Sequence, residues 1–260
     1  MSKSYEALQK AEAERRLGNV VAPDPVVTPP RNGKRASAQG SDLDLAHLDP
    51  RIEEEYQKLR GNLFARPGKD GKEALRTVMV VGSAHGEGAT TTSSILATLL
   101  AKTGTGEVAL VDANLRTPSL HSVFSLDETK RGLTDLITNG FRPKDLVQPT
   151  AIPNLFVVPA GRPLPSPSSI YQEPIARLLS DLKTSFRYVM FDTSPVTDYS
   201  DASFLAPKVD GVVLVIRAES TRIDTAMKTK RQLEWAGGQV IGTVLNGKRS
   251  YIPLMIQRFL

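Results

Sequence analysis

The sequence predicts an α/β fold, a three-layer sandwich in which helices cover both faces of a mostly parallel central sheet. Short apolar runs recur along it: VMVV (78–81), VALV (108–111), LFVV (155–158), YVMF (188–191), VVLVI (212–216) and VIGTVL (240–245). Each run is continuous rather than alternating, and continuous runs belong to strands buried on both faces. Helix-patterned stretches separate the runs, at roughly Thr91 to Lys102, Leu133 to Thr138, Tyr171 to Ser185, Ala202 to Ala206 and Arg222 to Trp235. Strand and helix in turn imply right-handed crossovers and one layered domain.

Taken in order, the chain opens on helix-forming residues from Ser4 to about Leu17 that have few apolar positions, so an isolated helix there is marginal in water. PDPVVTPPRNGKRASAQGSD follows, and its prolines, glycines and small polar residues bury too little apolar surface to offset their ordering entropy. Residues 1–45 therefore read as a flexible N-terminal arm with a short helix, either a spacer or a docking segment, and 46–260 as one domain. RIEEEYQKLRGNLF, Arg51 to Phe64, sets Tyr56, Leu59 and Leu63 at helical spacing, with acids early and basic residues later, as the helix dipole favours. The loop ARPGKDGKEA then leads into the first strand.

Composition narrows the function classes. With 260 residues, 40% of them hydrophobic, the chain can bury a sizeable core, and no segment approaches the roughly 18 unbroken apolar residues of a membrane span. The opening MSKSYEALQKAEAERR lacks a signal peptide's apolar stretch and the chain has no cysteine, so a cytoplasmic location is expected. Lysine and arginine total 33 against 28 acids, an excess that permits anionic partners without requiring any.

Ligands of such sheets sit beyond the carboxyl ends of the strands, and the suggestive residues cluster there. VMVV runs into GSAHGEG and then a helix, the strand, loop, helix order of a phosphate-binding loop. Gly86 and Gly88 allow main-chain N–H groups around Glu87 to turn toward phosphate oxygens, and the helix starting at Ala89, Thr90 and Thr91 directs its positive end at them. Thr90 stands where a hydroxyl binds Mg²⁺, but the lysine expected one place earlier is Ala89. In VALVDANLRTPSLH, Asp112, Asn114 and Arg116 fall at alternate positions past a buried strand and project toward one rim. A carboxylate there holds a metal-bound water or accepts a proton, unless the stretch is merely a capped turn before Pro118. Asp192, ending YVMF, supplies a second Mg²⁺-ordering carboxylate, and the domain is accordingly P-loop NTPase-like.

YEALQKAE, EEYQKLRGNL, SAHGEGATTT, VDANLRTPSLH, FDTSPVTDYSDA, VLVIRAESTR and VIGTVLN together resemble the bacterial tyrosine kinases of capsule and exopolysaccharide synthesis, relatives of the septum-site and partition ATPases. The resemblance implies an ATP-dependent tyrosine autokinase that uses ATP/ADP and Mg²⁺ and works with a membrane regulator of polysaccharide chain length, recruited to the inner face of the membrane. It makes Gly86, Gly88 and Thr90 the first phosphate motif, Asp112 and Arg116 the second, Asp192 the third, and Asn246 the residue contacting the base. The pattern departs from the family at Ala89, at Asn114 in place of a second aspartate, and at a lone Tyr251 where a tyrosine cluster is usual. The family's ring-forming acid and two basic residues correspond to Glu54, Gln57 and Arg60, which leaves homo-oligomerisation open.

Losing a charge-assisted contact costs roughly 1.5 to 3 kcal/mol of affinity, whereas losing a group that stabilises developing charge costs about 10² to 10³ in rate. Binding is thus expected to outlast turnover. Lys102 is 13 residues further along the helix, about 20 Å, and cannot substitute. Arg116, His85 and Lys248 are the candidates; Arg116 is preferred for its bidentate grip, with a salt bridge to a neighbouring acid as its other role. Asn114 still accepts a hydrogen bond but leaves Mg²⁺ less firmly held.

Elsewhere, His121 and Trp235 read as structural and packing residues, and Asp198 and Asp201 as caps of the following helix, although Asp201 also resembles a recurrent acid of the family. The terminal YIPLMIQRFL either closes the core or docks on a membrane partner. Three functions compete: an autokinase weakened by Ala89, a catalytically silent nucleotide-binding regulator of the same machinery, and a partition-type ATPase. No nucleic-acid partner is expected.

Overall fold

The computed structural model describes residues 44–64, 75–127, 131–162 and 172–248. The N-terminal arm, the loop after Phe64, Tyr251 and the terminal apolar stretch lie outside the described residues. Helix α1 (Pro50–Phe64) precedes β1 (Thr77–Gly82) and α2 (Ala89–Lys102). After them come β2 (Val108–Ala113), α3 (Leu120–Val123), α4 (Leu133–Asn139), β3 (Gln148–Pro149), β4 (Leu155–Val158) and α5 (Gln172–Ser185). The series ends with β5 (Tyr188–Thr193), α6 (Asp201–Leu205), β6 (Gly211–Arg217), α7 (Ile223–Trp235) and β7 (Val240–Asn246).

Among the described residues the strands form one seven-stranded sheet in the order β3-β4-β2-β5-β1-β6-β7. All neighbours pair in parallel except β3 with β4, which are antiparallel. Alternate strand residues feed two cores. Val78, Val80, Leu110, Met190, Val213 and Val215 pack with Leu63 of α1 and with Ile95, Leu96, Leu99 and Leu100 of α2. On the opposite face, Met79, Val81, Val111, Phe191, Val212 and Leu214 pack with Leu178 and Leu182 of α5, Leu205 of α6 and Leu233 of α7. Burial of both sheet faces is why the strand sequences are unbroken apolar runs.

Two expectations need correction. VIGTVL has the same unbroken apolar pattern as the inner strands, yet β7 is a sheet edge, with Thr243 and Leu245 exposed. Trp235, expected to pack, is 87% exposed at the end of α7, because Leu233 is the residue of that turn that enters the core. No helix among the described residues is long and apolar enough to cross a membrane.

Candidate functional site

The loop between β1 and α2 is shaped by its glycines. Gly86 and Gly88 adopt left-handed backbone at φ 81° and 92°, a region most side chains avoid. Gly88 also caps α2 and lies against Asn246 of β7: a Cβ at position 88 would come within 2.0 Å of the Asn246 amide nitrogen. That nitrogen donates to the Glu87 carbonyl oxygen at 2.9 Å, so the residue read as contacting the base is also a brace for the loop.

Glu87 serves the loop itself. Its buried carboxylate accepts the N–H groups of Ser83 and Ala84 and the Thr221 hydroxyl. Ala89, Thr90 and Thr91 then form the first turn of α2, with Thr91 exposed and Ala89 and Thr90 half-buried.

On one flank of β1, Asp112 and Asp192 stand opposite each other in the β2/β5 register. Thr90 donates its hydroxyl to Asp192 Oδ2 at 2.7 Å, while Asp192 Oδ1 is buried without a hydrogen-bond partner. Burial, reinforced by the charge of Asp112, pushes the Asp192 carboxyl up to about 8. Burial also raises Asp112 to about 6, against the opposing pull of the N–H groups of Leu120, Ser119 and Asn114 that its oxygens accept. Two buried acids side by side, one of which, Asp192, pairs one oxygen with a threonine hydroxyl and leaves the other orphaned, suit a hard divalent cation. Among the described residues no group of three or more His, Cys, Asp or Glu side chains gathers to hold a metal ion.

The remaining residues of the β2 rim diverge from Asp112. Asn114 is buried in protein contacts, accepting from the Ser194 hydroxyl at 2.8 Å and donating to the Thr117 carbonyl oxygen at 3.0 Å. Arg116 extends the other way: its Nε donates to Asp201 Oδ2 at 3.1 Å and its guanidinium lies 3.9 Å from the centre of the Tyr199 ring. In this structure Arg116 makes the ion pair. Asp201 is therefore not the cap of α6, a position taken by Ser200. His85 and Lys248 are both exposed.

Two residues that sequence reasoning passed over touch the loop. Arg217, ending β6, donates from Nη1 to the Gly86 carbonyl oxygen at 3.1 Å, and Thr221 reaches Glu87 from the turn after β6. These partners are more than 130 residues apart in the chain, and local pattern does not reveal such pairings.

No family model matches the chain. The tyrosine-protein kinase CpsD of Streptococcus agalactiae is 31% identical over 197 residues, covering 75% of this chain and 83% of the relative. The tyrosine-protein kinase YwqD of Bacillus subtilis is 31% identical over 198 residues, covering 75% and 81%. Among solved structures, the chimerical protein CapA2B2 superposes with a TM-score of 0.73 at 28% identity, over 81% of this chain and 91% of the other. The septum-site protein MinD of Pyrococcus horikoshii, with a TM-score of 0.59 at 21% identity over 71% and 76%, shares the P-loop NTPase-like fold. A glycine loop opening a helix, two acids at neighbouring strand ends and these likenesses together place the chain in the bacterial tyrosine-protein kinase family of capsule and exopolysaccharide synthesis.

Proposed function

We propose that this chain binds ATP or ADP with Mg²⁺ and regulates exopolysaccharide or capsule synthesis beside a membrane chain-length regulator, with tyrosine autophosphorylation weakened by Ala89. The observation that carries the reading is Asp192: one oxygen takes the Thr90 hydroxyl, the other is buried and unpartnered, and Asp112 adds a second acid in register. That arrangement opposes folding on its own and is relieved by a cation. Asp192, Asp112 and Thr90 would hold Mg²⁺, which supplies charge neutralisation at phosphate oxygens. Main-chain N–H groups from Gly86 to Thr91 would hold the phosphates, aided by the dipole of α2, a 14-residue helix.

Ala89 separates binding from turnover. The backbone cradle remains, but the ammonium that accompanies the transferred phosphoryl group is missing, and Arg116 is engaged by Asp201 and Tyr199. This favours, as a second reading, a catalytically silent member of the same machinery, in which nucleotide occupancy changes the state seen by the partner. Recruitment to the inner face of the membrane belongs to that partner, and self-association would use α1, which carries Glu54, Gln57 and Arg60.

Calorimetry with MgATP and MgADP tests the binding, and radiolabelled ATP at high protein concentration tests the kinase. Measurable affinity that falls on removal of Mg²⁺ is expected, with phosphotyrosine weak or absent. A protein that takes up neither nucleotide refutes the proposal.

A further inference from the structure

We propose that Arg217 is the cation that holds the nucleotide in this chain, acting on the nucleoside-diphosphate part and not on the terminal phosphate. The inference rests on the nucleotide-binding reading above and adds to it a residue and a selectivity. The loop carries a buried carboxylate, Glu87, and no lysine at position 89, so without a neighbouring cation it is a poor seat for a polyanion. Arg217 is a cation bound to that loop: Nη1 donates to the Gly86 carbonyl oxygen at 3.1 Å, from an exposed side chain. A guanidinium carries five N–H groups in a fixed fork, so one bond to the loop orients the rest.

Strand order gives the side of the nucleotide. β5 and then β2, carrying Asp192 and Asp112, lie on one flank of β1, while β6 and then β7 lie on the other. Arg217 and Asn246 are register partners at the ends of those two strands, and each bonds a loop carbonyl, of Gly86 and Glu87 respectively. On the reading above, Asp112 and Asp192 would hold the cation that neutralises the terminal phosphate. The β6/β7 flank therefore takes the remainder, the inner phosphates and the nucleoside.

Arg217 is also fixed from behind. Its own N–H donates to Thr221 Oγ1 at 2.9 Å, and Ala218 N–H donates to the Asn246 carbonyl oxygen at 2.8 Å. Gly247, left-handed at φ 69°, passes beside it, a Cβ there falling at ordinary contact distance, 3.8 Å, from Arg217 Cγ. A cation placed in this way binds ADP as well as ATP. The chain then responds to the occupancy of its site by adenine nucleotide more than to the presence of a γ-phosphate.

Calorimetry of the full chain with MgATP and MgADP, on the natural protein and on Arg217→Ala, Arg217→Lys and Arg217→Gln, tests this. Arg217→Ala is expected to weaken both nucleotides by about tenfold or more, the scale of one charge-assisted contact, with the ATP to ADP ratio unchanged within about twofold. Arg217→Lys recovers part of the loss and Arg217→Gln does not. A change of less than about twofold for ADP in Arg217→Ala, or a loss confined to ATP, overturns the proposal. Equal behaviour of the Lys and Gln variants also overturns it, since a residue that merely braces Gly86 has no need of charge. A natural protein that binds neither nucleotide refutes the nucleotide reading itself; that result is distinct from intact binding that ignores Arg217.

Discussion

Replacing Asp192 with Asn should stabilise the ligand-free protein, and increasingly so as pH rises. In the folded state burial and the neighbouring Asp112 push this carboxyl from 3.8 up to about 8. Below the unfolded value both states are protonated and nothing is lost. Above it the unfolded chain releases the proton while the folded chain keeps it, so stability falls steadily until the pH has passed the folded value. At about 1.4 kcal/mol per decade, that gap sets a ceiling of roughly 5 to 6 kcal/mol. Asp112 shares the site and its own carboxyl is raised to about 6, so part of the ceiling belongs to the pair, and roughly half is expected from one substitution. A gain of about 2 to 3 kcal/mol at pH 8.5 corresponds to about 5 to 10 °C in Tm for a domain of this size. Asparagine retains an oxygen for the Thr90 hydroxyl, so that hydrogen bond survives. Thermal and urea unfolding from pH 4 to 9 in chelator supply the measurement. Asp192→Asn matching or falling below the natural protein at pH 8.5, or an advantage that fails to shrink by pH 4, refutes the reasoning. Adding Mg²⁺ should raise the melting temperature of the natural protein and not that of the variant.

Other substitutions test separate parts of the site. Ala89→Lys restores a charge-assisted contact and should raise MgATP affinity by about 10- to 100-fold, with phosphotyrosine appearing or increasing in a labelled-ATP assay. Gly88→Ala forces a methyl against the Asn246 amide at 2.0 Å in backbone of φ 92°; titration should show nucleotide binding abolished, and urea unfolding a loss of about 2 kcal/mol. Asp201→Ala leaves Arg116, only 18% exposed, without its carboxylate, and should cost about 1 to 3 kcal/mol by urea unfolding. Trp235→Ala, at 87% exposure, should change stability by less than about 0.5 kcal/mol in the same measurement.

The layered sheet was legible because burial on both faces removes polar residues from a strand, and local composition records that directly. VMVV, VALV and VVLVI carried the signal. β3 escaped notice because Gln148 and Pro149 form a two-residue antiparallel edge held only by β4, and α3 is a four-residue turn without a periodic face. β7 was misjudged for the opposite reason: its apolar composition matches the inner strands, but its place at the edge follows from strand order. Trp235 shows the same limit, since its identity does not reveal that Leu233 takes the core position. At the candidate site, glycines, threonines and acids were readable because each lies at the end of a strand or within a few residues past it. The pairings of Arg116 with Asp201, Glu87 with Thr221 and Arg217 with Gly86 span 85 residues or more of chain, and only the folded sheet brings them together.

The contact of Asn246 with Gly88 joins positions 158 residues apart in the chain. A nascent polypeptide on the ribosome will have made its phosphate loop, and both acids, long before β7 emerges. Until that strand arrives the loop lacks its brace at Glu87 and the adjoining flank stays open. If the loop seats a nucleotide as proposed, a chain cut before Val240 keeps both acids and lacks the Asn246 brace, and is expected to hold the ligand more weakly than a chain that includes β7.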